Sequence, residues 1–114
     1  MKTLLLVRHA KSSWNDSEIS DIDRPLKQIG VKNALLIATK IKEKKIFPDF
    51  LITSPAVRAA STALIFARTL SYPLQRMVIN EIVYDFSKDA LFPLLHATDD
   101  KFDTVMLEIG RAHV

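Results

Sequence analysis

Lys2-Thr3-Leu4-Leu5-Leu6-Val7-Arg8-His9-Ala10-Lys11-Ser12 opens the chain with an apolar run, Leu4 to Val7, that stops at an Arg-His pair. A continuous apolar run of this length predicts a strand buried on both faces, as in a parallel sheet. In open α/β sheets ligands bind beyond the carboxyl ends of such strands, and Arg8 and His9 fall at that place. A guanidinium can grip two oxygens of a phosphate, and a neutral imidazole nitrogen can attack phosphorus. An Arg-His dipeptide alone is a weak signal, so its weight depends on the rest of the chain.

A polar stretch, Ser12 to Ser20, comes next and contains Trp14, the sole tryptophan. It predicts a long loop, and such loops in compact domains are often functional. Asp21-Ile22-Asp23-Arg24-Pro25-Leu26 leads into a helix whose Val31, Ala34, Leu35, Ala38 and Ile41 share one face, with Lys32, Asn33, Lys40 and Glu43 mostly opposite. Pro48 ends this region, and Phe50-Leu51-Ile52-Thr53 predicts a short buried strand. Ser54-Pro55 reads as a helix start, with Ser54 as N-cap and Pro55 at the first helical position. Val57, Ala60, Leu64 and Ala67 then form the expected buried face. Arg76 to Ile79 predicts a third strand, Ser87 to Leu95 a short helix interrupted by Pro93, and Thr104 to Leu107 a fourth strand. The alternation of strand and helix predicts an α/β domain with a mainly parallel sheet flanked by helices.

At 114 residues the chain is one domain at most. A net charge of +3 permits an acidic substrate. No aromatic and basic residues interleave on any element, which argues against nucleic acid. Without cysteine there is no disulfide, thiolate chemistry or Cys-based metal site. The apolar run after Lys2 is too short for a signal peptide, and no stretch approaches a membrane span. A cytoplasmic location is expected, with no membrane partner; the pattern specifies no oligomeric state.

Several polar residues come after predicted strand ends. Arg58 lies in the first turn of the Ser54 helix, where a cation opposes the helix dipole by a few tenths of a kcal/mol up to roughly 1. It is either a surface arginine screened by water or the partner of an anion held at the helix N-terminus. Glu81 comes after the third strand and is either a solvated junction residue or a carboxyl group that protonates a leaving group. Ser12 and Asn15 are either turn formers or donors to phosphate oxygens. Asp23 and Arg24 can pair with each other, and His96 suits a satisfied surface or core position. Two strand ends that each carry an arginine can converge on one pocket if the strands are neighbours.

Arg8-His9-Ala10-Lys11-Ser12-Ser13-Trp14-Asn15 resembles the opening signature of the histidine phosphatase superfamily, which includes cofactor-dependent phosphoglycerate mutase. Leu51-Ile52-Thr53-Ser54-Pro55-Ala56-Val57-Arg58-Ala59-Ala60-Ser61-Thr62 resembles its second signature, Ser-Pro-x-x-Arg-Ala-x-x-Thr. Asp23-Arg24-Pro25-Leu26 followed by Gly30 is similar to the short SixA-like phosphohistidine phosphatases, although Ile29 stands where that branch often has a polar or basic residue. The resemblance implies a phosphoglycerate mutase-like three-layer sandwich. It implies His9 as the nucleophile that takes the phosphoryl group, and Arg8 and Arg58 as phosphate ligands that stabilise transition-state charge. Ser12 and Asn15 would add contacts, and Glu81 would be the proton donor. No cofactor and no metal are implied. The expected substrate is a phosphorylated protein, carrying phosphohistidine, or else a small phosphate ester.

The resemblance also implies a second histidine in a Gly-His turn after the fourth strand. Here that strand is followed by Glu108-Ile109-Gly110-Arg111-Ala112-His113-Val114. His113 comes about three residues late and lacks the preceding glycine. These seven residues also resemble the translation of a common sequencing adapter. The expectation is that residues 1–107 are the N-terminal part of a single domain, incomplete at the C-terminus, with 108–114 a non-native tail. The alternative to a phosphatase is a non-catalytic phosphate-binding fragment, or pseudoenzyme, that lacks the second histidine.

Overall fold

A computed structural model describes residues 3–8, 25–86, 101–109 and 111–112. Strand β1 (Thr3–Arg8) precedes helix α1 (Gln28–Glu43), β2 (Phe50–Thr53), helix α2 (Val57–Thr69), β3 (Val78–Ile79), β4 (Asp85–Phe86), β5 (Thr104–Ile109) and β6 (Arg111–Ala112). Four strands form one sheet in the order β1-β5-β2-β3, and all its pairings are parallel. Short β4 and β6 form a separate parallel pair. The expected α/β architecture is therefore present, and the expected strand at Phe50–Thr53 has its observed bounds.

Both large helices pack on one face of the sheet. Ala34 and Ala38 of α1, Phe66 and Ala67 of α2, Leu51 of β2 and Met106 of β5 form one apolar cluster, with Leu5 and Val7 of β1 against it. Ile52, Val105, Leu107 and Ile109 form a second cluster with Val83 on the other face. The predicted helix Ser87–Leu95 lies outside the described residues.

Several sequence expectations are corrected. Among the described residues β1 pairs with β5 alone, and Leu6 is 52% exposed, so the strand is not buried on both faces there. In α1 the inward residues are Gly30, Ala34 and Ala38, whereas Val31 and Leu35 face solvent. Small side chains at four-residue intervals let α1 approach its neighbours closely, and the larger residues are displaced to the flanks. In α2 the buried set is Arg58, Ala59, Thr62, Ala63, Phe66 and Ala67, while Val57 is exposed. The helix starts at Val57 with Ala56 as N-cap, two residues later than expected. The Ser54 hydroxyl accepts the Ala56 N–H at 3.1 Å, closing a turn ahead of the helix instead of capping it. Arg76 belongs to a 3-10 turn, Leu74–Arg76, so β3 is only Val78–Ile79. β5 runs two residues beyond the expected Leu107.

Both helices end without glycine. Lys45 (φ 56°) and Ser71 (φ 59°) take the left-handed conformation just beyond them. Ile46 N–H then donates to Ile41 O, and Tyr72 N–H to Ala67 O at 2.7 Å. These are the six-to-one bonds of a Schellman ending. The second one turns Tyr72 into the core. Its buried hydroxyl accepts the Leu51 N–H at 3.3 Å and donates to Arg76 O at 3.1 Å. It thereby ties the centre of β2 to the turn before β3. Tyr72→Phe leaves both groups unsatisfied and is expected to cost about 1–2 kcal/mol, read as a lower urea midpoint at unchanged m-value.

Candidate functional site

The carboxyl ends of the four strands stop in one row. Val7 lies opposite Glu108, Glu108 opposite Thr53, and Thr53 opposite Ile79. The ladder is carried one step further by Ser54 N–H to Glu108 O at 2.8 Å and Asn80 N–H to Thr53 O at 3.0 Å. Beyond this row the chain leaves each strand, and the sequence-predicted site residues enter there.

Arg8 is the last residue of β1, exposed, and opposite Ile109. His9 comes directly after it; His9, Ser12 and Asn15 lie outside the described residues. Arg58 is the second residue of α2 and only 1% exposed. An arginine this deeply buried is not the screened surface residue that the sequence also allowed. Thr62, one helical turn on, donates its hydroxyl to Arg58 O at 2.8 Å, which fixes the turn that carries the guanidinium. Sequence reasoning misses this role of Thr62, although its four-residue spacing from Arg58 on a helix is a legible signal. Glu81, itself exposed, opens a 3-10 turn after β3, Glu81–Val83, whose last residue is buried. Asn80 caps that turn by accepting the Ile82 N–H at 3.0 Å.

The two arginine-bearing strand ends are not neighbours, contrary to the condition set for their convergence. β5 lies between β1 and β2. At about 4.8 Å per strand, β1 and β2 are roughly 10 Å apart and β1 and β3 roughly 14 Å. Arg8 and Arg58 therefore stand on either side of the carboxyl end of β5. Glu81 is on the far side, beyond Arg58.

The residue at the centre is Glu108. Along β5, Val105, Leu107 and Ile109 belong to the cluster on one face, and Met106 to the other. Alternation places Glu108 with Met106, on the face covered by α1 and α2. It is fully buried, and neither carboxyl oxygen has a hydrogen-bond partner among the described residues. Burial pushes its carboxyl well above the ordinary value of 4.5, because the charged form loses its water. Among the described residues, no group of three or more His, Cys, Asp or Glu side chains is placed to hold a metal ion. No helix among them is long and apolar enough to cross a membrane.

Chemically, the arrangement offers a buried guanidinium at the head of a helix that has no side-chain cap, and a second guanidinium across one strand. Helix N–H groups and two arginine forks together suit a tetrahedral oxyanion.

A family model described as the histidine phosphatase superfamily (branch 1) matches residues 4–82. Phosphoglycerate mutase 1 of Saccharomyces cerevisiae is 35% identical over 112 residues, covering 91% of this chain and 45% of that protein. A solved structure that carries the name phosphohistidine phosphatase SixA, from Agrobacterium tumefaciens, superposes with a TM-score of 0.85 at 27% identity. It covers 97% of this chain and 70% of that one. The protein histidine phosphatase SixA complexed with tungstate shares the fold, with a TM-score of 0.77 at 21% identity, over 91% of this chain and 66% of that one. The chain spans less than half the length of the curated relatives it matches.

Proposed function

The chain belongs to the histidine phosphatase superfamily, branch 1, and on that premise we propose that it removes a phosphoryl group from protein phosphohistidine through a phosphorylated His9. A small phosphate ester is the second choice of substrate. The observation that carries this reading is the flanking of one strand end, β5, by Arg8 on one side and the buried Arg58 on the other. A phosphoryl group bridging the two would sit beside the residue after Arg8.

In the first step a ring nitrogen of His9 attacks phosphorus, and the bond from phosphorus to the substrate's imidazole breaks. The leaving imidazole takes a proton, which the Glu81 carboxyl supplies. In the second step water attacks the phosphorus on His9, the ring is released, and Glu81 recovers the proton from the water. Arg8 and Arg58 hold the equatorial oxygens in both steps, with Ser12 and Asn15 adding donors. No cofactor enters.

The same reading takes residues 1–107 as part of a single domain and 108–114 as a tail foreign to it. The unpartnered carboxyl of Glu108 inside the sheet supports this, since native buried polar groups are hydrogen-bonded. The second reading, a phosphate-binding chain without turnover, rests on the lack of the second histidine. Ile109 and Gly110 stand where the resemblance implies the glycine and second histidine.

The test is to incubate the chain with a labelled phosphohistidine protein and look for acid-labile, base-stable label on His9. Label that appears in the chain and is lost in His9→Ala supports the phosphatase. Binding of inorganic phosphate with no label on His9 leaves the binding module. Absence of both overturns the phosphate site itself.

A further inference from the structure

Glu81 is exposed, so burial of its own side chain does not hold it near the arginines; the backbone of its turn must do so. Four hydrogen bonds fix that backbone. Asn80 N–H donates to Thr53 O at 3.0 Å, Val83 N–H to Asn80 O at 3.3 Å and Tyr84 N–H to Glu81 O at 2.9 Å. Any residue with an N–H could make these three. The fourth, from Ile82 N–H to Asn80 Oδ1 at 3.0 Å, needs the side chain that stands at position 80. The first N–H groups of a helical turn have no partner within it, and Asn80 supplies one.

The two ends of the turn are anchored differently. Asn80 is extended (φ −142°, ψ 128°) and continues the line of β3 before the chain turns. At the other end Val83 is fully buried against Ile52, Val105, Leu107 and Ile109. Thr53, whose carbonyl takes the Asn80 N–H, ends β2, the strand that leads into α2 and Arg58. The carboxyl read as proton donor and the guanidinium read as phosphate ligand are therefore both referred to one strand end.

We propose that Asn80 is a positioning residue for the proton transfer: by accepting the Ile82 N–H it fixes the turn from which the Glu81 carboxyl reaches the leaving atom. This role rests on the reading of Glu81 as the proton donor. A general acid must come within about 2.6–3.2 Å of the atom it protonates, and a displacement of about 1 Å can cost roughly a hundredfold in rate. An asparagine side chain bonded to the backbone two residues on is a turn former, a serine hydroxyl does the same more weakly, and alanine cannot do it.

The leaving group separates positioning from mere stability. When the phosphorus–oxygen bond of an aryl phosphate breaks, its electron pair stays on the oxygen. p-Nitrophenolate carries that charge unaided, whereas phenolate needs the Glu81 proton. The test therefore compares His9 labelling by p-nitrophenyl phosphate with labelling by phenyl phosphate, in the unsubstituted chain and in Asn80→Ala, Asn80→Ser and Glu81→Gln. The readout is the ratio of the first rate to the second. General acid catalysis contributes about 10²–10⁴-fold, so Glu81→Gln should raise the ratio at least about a hundredfold. Asn80→Ala should raise it at least about tenfold, and Asn80→Ser less than Asn80→Ala. A loss of fold stability alone lowers both rates together and leaves the ratio unmoved. A ratio unmoved in Asn80→Ala but raised in Glu81→Gln overturns the positioning role and keeps Glu81 as donor. A ratio unmoved in both overturns the donor and the role of Asn80 with it. Absence of label from either ester overturns the role as well, and label from the phosphohistidine protein then still supports the reading of His9. If a urea curve shows Asn80→Ala unfolded, Asn80→Gly takes its place, since glycine also lacks the acceptor and the extended backbone suits any residue.

Discussion

Glu108→Leu is expected to stabilise the chain by at least about 2 kcal/mol at neutral pH, an unusual outcome for a substitution in a central strand. A buried polar group without a partner costs about 1–3 kcal/mol, and both oxygens of this carboxyl are in that condition. A second cost depends on pH. The unfolded chain releases this proton near the ordinary value of 4.5, whereas the folded chain retains it well above that value because of burial. Above 4.5, therefore, the folded state binds more protons than the unfolded state, and stability falls as pH rises until the folded carboxyl itself ionises. The fall approaches about 1.4 kcal/mol per pH unit. Glu108→Gln should remove this slope while keeping a buried amide. Glu108→Leu should remove the slope and raise stability at every pH above 4.5. Urea unfolding at several pH values between about 5 and 8 reads both effects. Equal slopes in the unsubstituted chain and in Glu108→Gln would show that Glu108 reaches water.

Arg58→Lys is expected to lower phosphate affinity, and any rate of His9 labelling, by about a hundredfold or more. Lysine keeps the charge but loses the planar fork that grips two oxygens at once. Removal of one preorganised donor to a developing oxyanion typically costs roughly 10²–10³ in rate. The lysine stem fits the buried path of the arginine, so unfolding measurements should move less than the binding does. Orthophosphate titration by calorimetry, set beside a urea curve, separates the two effects. A variant with unchanged phosphate binding would make Arg58 a structural cation only. Arg8, exposed at its strand end, offers the comparison, since its replacement should weaken binding without touching stability.

How much the sequence makes legible depends on the range of the interactions involved. β2 is found with its bounds because four apolar or β-branched residues sit between Pro48 and Pro55, a local pattern with local punctuation. The pairing of β1 with β5 alone, among the described residues, is not legible. Leu4 to Val7 look the same whether one or two strands flank them, and the neighbour, β5, is about a hundred residues away. The buried face of α2 is misplaced because alanine suits either environment. Five alanines from Ala56 through Ala67 leave the apolar pattern almost free to rotate, and a reading that sends charges to solvent turns Arg58 outward. Arg58, Arg8 and Glu81 are nevertheless picked out, because each lies at or just after a strand end, and strand ends are where an α/β sheet gathers its chemistry. Glu108 reads only as the start of a foreign tail, since its burial depends on strands paired to both of its sides.

Strand order also matters while the chain is being made. β1 and β2 are only about forty residues apart, yet they never touch as strands, because β5 separates them. A nascent chain that has emitted β1, α1, β2, α2 and β3 holds only the short β2–β3 pairing of the final sheet. Its two longest ladders wait for residues 104–109. At roughly 5–20 residues per second, the interval between Thr53 and Thr104 lasts several seconds. Throughout it the edges of β1 and β2 that β5 later joins have no native partner, which is the condition in which chaperones and proteases compete with folding.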